Sequence, residues 1–218
     1  MMLRGLVLGL LGLGAAHAAD MTVLHYVDQD PGGAPYVTRI LVTPDFMRMD
    51  GGEDNADFAL LDRRQRQLVN VSRDNKLALV FASGALPPRP ASLKSRLDVS
   101  KAAPGTQRFH LEVNGVVCSE GIAALGAAPD AARAMAELKS VLAATQYRVW
   151  KDTPAELQHD CDLANQVWET GSTLKLGLPL EEREFTGRTR KFERETRQPL
   201  QPELFRVPEG LTVINAPS

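Results

Sequence analysis

Between residues 36 and 82 the chain is cut into short apolar runs, about one every ten residues, and each stops at turn-forming residues. Residues 36–42 end at Thr43-Pro44-Asp45 and 46–49 at Asp50-Gly51-Gly52. Residues 58–61 end at Asp62-Arg63-Arg64, 68–71 at Ser72-Arg73-Asp74-Asn75, and 77–82 at Ser83-Gly84. Runs of this length with regularly spaced turns predict an antiparallel meander. The turns leave no room for the crossovers that parallel strands need. Side chains alternate between faces along a strand. Met47 and Met49 therefore share one face, opposite Phe46, Arg48 and Asp50; Leu77, Leu79 and Phe81 share another. Each run offers an apolar face to a common core.

The N-terminus has the form of an export leader. Arg4 precedes the apolar stretch 5–14, and Ala16-His17-Ala18 supplies a small-x-small cleavage site, so residues 1–18 read as a signal peptide and 19–218 as one mature domain. Ten apolar residues are too few to cross a bilayer core of roughly 30 Å, and no later stretch is long enough, so no transmembrane segment is expected in the mature chain. The expected location is the periplasm. The full chain carries a formal net charge of −2, which argues against bulk electrostatic binding of nucleic acid. The only cysteines are Cys118 and Cys161. In an oxidising compartment such a pair is expected to form a disulfide; the competing readings are two buried thiols or a thiol metal site.

The rest of the chain adds strands and two helices. Residues 22–27 read as a first strand. Residues 83–105, with Pro87, Pro88, Pro90 and Pro104, read as a long loop, either a solvated linker over one sheet edge or a binding flap. Asn114-Gly115 predicts a hairpin between 109–113 and 116–118. Residues 130–145 place Ala132, Met135, Leu138, Val141 and Leu142 on one helical face. A second helix is predicted from Thr153 as N-cap, Pro154 at the first position and Glu156 in a capping box. Its apolar stripe is Leu157, Cys161, Ala164 and Trp168, and Gly171 ends it. Residues 178–186 and 188–196 flank Gly187 as a polar hairpin whose charged second arm reads as a solvated face that also guards an edge. A short apolar segment, 204–210, closes the domain.

Signals for catalysis are poor. The chain has no Gly-x-Ser-x-Gly, no phosphate-cradling glycine loop and no His-Glu-x-x-His. His159 and Cys161 are a conceivable metal pair without nearby further ligands. The acidic loop 50–57 departs from EF-hand spacing. No cofactor, metal site or catalytic residue is expected.

Three short phrases carry a resemblance: Phe46-Met47-Arg48-Met49-Asp50, the strand ending Leu60-Leu61-Asp62, and the terminal Leu204-Phe205-x-x-Pro208-x-Gly210. With them the chain resembles a family of exported bacterial proteins of unknown function, related in fold to the LolA/LolB lipoprotein carriers. That resemblance implies an α+β fold: a curved antiparallel sheet, a half-barrel, with two α-helices on its concave face, where the carriers hold acyl chains. The carriers open with a helix, whereas this chain reads as strand from residue 22. The functional expectation is a non-catalytic binding module for an apolar ligand or a lipoprotein in the cell envelope. Met47, Met49, Leu77, Leu79 and Phe81 would line its site, with Trp168 above. The alternatives are an exported hydrolase with a polar site under the 83–105 loop, or an interaction scaffold in an envelope complex.

Overall fold

The computed structural model describes residues 20–216; the predicted leader lies outside them. The five meander runs form strands β2 (Tyr36–Val42), β3 (Phe46–Asp50), β4 (Phe58–Asp62), β5 (Gln67–Ser72) and β6 (Leu77–Ala82), each antiparallel to the next. Strand β1 (Asp20–Gln29) precedes them and pairs with β2. Strands β7 (Ser95–Lys101), β8 (Thr106–Val113), β9 (Val116–Ala124), β10 (Leu178–Glu184), β11 (Thr189–Pro199) and β12 (Thr212–Asn215) complete one open, curved sheet. Its order is β12-β6-β5-β4-β3-β2-β1-β11-β10-β9-β8-β7. The fold is α+β.

Four details differ from the sequence reading. The 83–105 segment contains β7, an edge strand antiparallel to β8; only its Leu97 and Val99 alternate, too weak a pattern to stand out among polar neighbours. The chain end adds β12, which lies parallel to β6. The charged arm β11 is no edge: it sits between β1 and β10 in the middle of the sheet. The second helix is broken. Helix α1 (Pro129–Asp152) runs past residue 145, and Thr153 closes it by donating from Oγ1 to the Val149 carbonyl at 2.7 Å. Thr153 is extended (ψ 138°), as a residue before proline prefers. After it come a 3₁₀ turn at Ala155–Leu157, the four-residue α2 (Asp160–Leu163) and a π-helical turn at Ala164–Trp168. Leu157, predicted on the buried stripe, is 60% exposed.

Three apolar clusters follow from this layout. The largest lies between α1 and one sheet face: Leu24, Ile40, Val42, Met47, Leu61, Leu68 and Phe81 beneath Ala131, Ala134, Met135, Leu138 and Val141. Arg63, in the β4–β5 turn, clamps the helix there. Its Nε meets Glu137 at 2.6 Å and its Nη atoms meet Asp130 at 2.9 Å. The second cluster lies on the opposite face, where Leu204 and Phe205 pack on Met21, Val23, Leu41, Phe58 and Leu60. The third surrounds the Cys118–Cys161 disulfide, whose Cα atoms are 4.9 Å apart, with Val113, Leu163, Ala164 and Val167. Bridging residues 43 apart in sequence removes about 4 kcal/mol of chain entropy from the unfolded state. At Gly121 a Cβ would lie 2.0 Å from the Glu181 carbonyl oxygen, so β9 and β10 close up only over glycine.

The three phrases behind the resemblance meet on the second cluster. Arg48 is 1% exposed and donates from Nη1 to the Leu204 carbonyl at 2.9 Å, and the Phe46 and Phe205 rings lie 6.1 Å apart. Arg48 also bonds Asp50 at 2.7 Å and the Asp54 carbonyl at 3.0 Å, and its guanidinium stacks 4.1 Å above the Phe58 ring. Arg39 takes both oxygens of Asp50 at 2.8 Å. These residues build scaffold: they hold the C-terminal segment to the back of the sheet.

Candidate functional site

Register decides what α1 covers. Across β2 to β6 one row of paired residues runs Val42, Met47, Leu61, Leu68, Phe81. The helix lies over this row, leaving Met47 2% and Phe81 9% exposed. The next row on the same face runs Ile40, Met49, Ala59, Asn70, Leu79. Two residues along a strand advance it by about 6.6 Å, enough to carry this row past the flank of the helix. From Met49 onward it is only half-buried or exposed. The result is a groove of about 780 Å³, with Met49, Ala59, Leu77 and Leu79 on its floor and Leu138 and Lys139 on its helix wall.

The groove is apolar along the meander and charged at its other end. There Asp28, Arg188 and Arg190 meet Glu182 and Glu184. The Asp28 side chain is fully buried. It accepts from Arg190 Nε at 2.8 Å and Nη2 at 2.6 Å, and from the Thr38 hydroxyl at 2.8 Å. Burial by itself would raise its pKa, but the arginine and threonine bonds outweigh it and hold the carboxyl below its ordinary value. Burial pushes the Glu184 carboxyl up, and the Lys139, Arg188 and Arg190 charges offset it only in part. Beside Arg190 the Tyr26 hydroxyl is buried with no hydrogen-bond partner among the described residues, and burial raises its pKa too.

A second recess of about 230 Å³ adjoins the first. Lys139, Glu184 and Arg188 line both. Its remaining wall includes Gln146, Asp162, Gln166 and Thr170 over Leu142 and Phe185. Burial raises the Asp162 carboxyl as well.

Of the six residues read from sequence as a binding surface, Met49, Leu77 and Leu79 come together in the groove. Met47 and Phe81 lie under the helix in the core. Trp168 stands apart, edge-on to Tyr147 at 5.6 Å in the disulfide cluster, because the broken second helix packs on β9 rather than on the meander. Sequence reasoning missed the charged end altogether. Asp28 follows Tyr26 by two residues and so shares its inward face, a signal that was present. Arg188 and Arg190 belong to the arm that reads as a solvated face, and Glu184 to the polar arm before it, because nothing local shows that β10 and β11 are interior strands.

The 83–105 segment packs away from both recesses. Arg89 binds Glu169 at 2.6 Å, Leu93 sits in the disulfide cluster, and no residue of the segment lines either recess. The Cys161 sulfur is bonded to Cys118, and the His159 ring packs against Phe185. The acidic loop turns Asp50 into the Arg39–Arg48 cluster. Among the described residues no three His, Cys, Asp or Glu side chains gather as a metal site, and no helix is long and apolar enough to cross a membrane.

The fold and recesses define an α+β protein whose open sheet is only partly covered by helix. No family model matches the sequence, and no curated protein does. Among solved structures it is similar to an uncharacterized conserved protein from Thermus thermophilus, at 11% identity and TM-score 0.44, covering 92% of each chain. It is also similar to a structure of PNGF-II, at 9% identity and TM-score 0.39, covering 91% of this chain and 32% of that one. Neither likeness is close enough to carry function.

Proposed function

We propose that this protein is a non-catalytic binding module that holds an apolar ligand, such as an acyl chain or the lipid part of a lipoprotein, in the groove beside α1. The observation that carries this reading is the uncovered groove floor of Met49, Ala59, Leu77 and Leu79, apolar side chains that the helix leaves open. Its volume of about 780 Å³ lies in the range of roughly 300–1,000 Å³ usual for small-ligand sites. A groove on the concave side of a half-barrel is also what the resemblance to the LolA/LolB carriers implies. The disulfide supports an oxidising, extracytoplasmic setting, in line with a cleaved leader and a periplasmic location.

The test is titration with saturated fatty acids of increasing length, read by displacement of a fluorescent fatty acid and by native mass spectrometry. Each methylene removed from water contributes about 0.8 kcal/mol, so affinity rises about tenfold or more per two carbons until the groove is full. Leu79→Arg puts a charge on the floor at a half-exposed position, and is expected to abolish this dependence while leaving the melting temperature near that of the parent. A protein that stays apo at every chain length, or a Leu79→Arg variant that binds like the parent, refutes the proposal.

A further inference from the structure

The second recess differs from the groove in chemistry, and its three shared residues set it beside the groove. Its charges offset one another: Lys139 and Arg188 against Asp162 and Glu184. The rest of the wall consists of amides and hydroxyls, which both donate and accept. Thr170 lines this recess, and its Oγ1 is buried with no hydrogen-bond partner among the described residues. A ligand hydroxyl reaching this atom would supply the bond the fold leaves unmade. Phe185 and Leu142 supply an apolar patch beside these polar groups.

We propose that this recess takes the hydroxyl-rich, uncharged head of an amphiphile, a glycosyl group, while its alkyl tail lies in the groove. The proposal rests on the groove reading above and names the ligand class. A sugar hydroxyl both donates and accepts, matching carboxylate, amide and threonine partners, and the apolar face of the ring suits Phe185. A phosphate head brings only acceptors and meets Asp162 and Glu184 as like charges.

Three probes of equal tail length, below their micelle concentrations, test this: dodecyl maltoside, dodecylphosphocholine and laurate. Calorimetry is expected to give dodecyl maltoside at least tenfold tighter binding than the other two. Thr170→Val keeps the shape and removes the hydroxyl; it is expected to weaken dodecyl maltoside about tenfold and leave laurate unchanged. Asp162→Asn, which keeps hydrogen-bonding capacity, is expected to lose less. Equal affinity for all three probes, or a Thr170→Val variant with parental maltoside affinity, overturns the head-group inference while the groove reading stands. Failure of every probe to bind overturns both.

Discussion

Arg48→Met tests whether the 46–50 phrase is scaffold or binding site. The substitution keeps a long apolar stem and deletes the guanidinium. The buried Leu204 carbonyl then loses the donor that stood at 2.9 Å, and the Asp54 carbonyl, on an exposed residue, loses one at 3.0 Å that water can replace. The unpaired buried acceptor costs about 1–3 kcal/mol. The contact with Phe58 at 4.1 Å also goes; such a desolvated contact is worth about 2 kcal/mol. Asp50 keeps both bonds from Arg39, so its charge is not stranded. Together these come to about 3–5 kcal/mol, the range seen when one partner of a buried ion pair is removed. Domains of this kind have a total of about 5–15 kcal/mol. Urea denaturation should show a midpoint lowered by about 1–2 M with an unchanged slope. Asp54→Ala is the control. Its carboxylate is 55% exposed and binds only Arg39, while Arg48 uses the Asp54 backbone, so the loss should stay within about 1 kcal/mol. A midpoint for Arg48→Met within about 0.3 M of the parent would refute the scaffold argument. So would parental stability combined with lost ligand uptake, which would move the phrase into the binding site.

Three further predictions concern stability. Cys118→Ser with Cys161→Ser should lower stability by about 4 kcal/mol and loosen the cluster around Leu163 and Val167 first, read by hydrogen exchange at those amides; equal exchange there and in the meander would contradict it. On the acid side, Asp28 and Asp50 are held below the ordinary carboxylate pKa by Arg190 and Arg39 against the opposing effect of burial. Their contribution is complete above the unfolded value of about 4 and is lost as pH falls through their folded values. Asp28→Asn should therefore lower stability at pH 7 and flatten the acid limb of the urea midpoint against pH. Glu184 has the opposite sign: its raised pKa weakens the fold as pH rises above about 4.5. Glu184→Gln should stabilise the protein at pH 7 and not at pH 4, and an unchanged midpoint at both would remove the buried charge from the account.

The sequence by itself determined the meander, the Asn114-Gly115 hairpin, the first strand and the apolar face of α1, because those depend on side-chain period and turn chemistry within a few residues. It determined the disulfide pairing because there are only two cysteines to join. Tertiary structure alone decided which apolar residues are filling and which are surface. Met47 and Met49 are indistinguishable by alternation, yet one lies under α1 and the other beside it, because the lateral position of the helix is set by Arg63 reaching Asp130 and Glu137 from 67 and 74 residues away. The charged end of the groove was equally out of reach. Asp28 and Arg190 are separated by 162 residues and meet only because β11 inserts next to β1. Local pattern fixes a strand's two faces, but its neighbours, and so the use of each face, follow from contacts between distant parts of the chain.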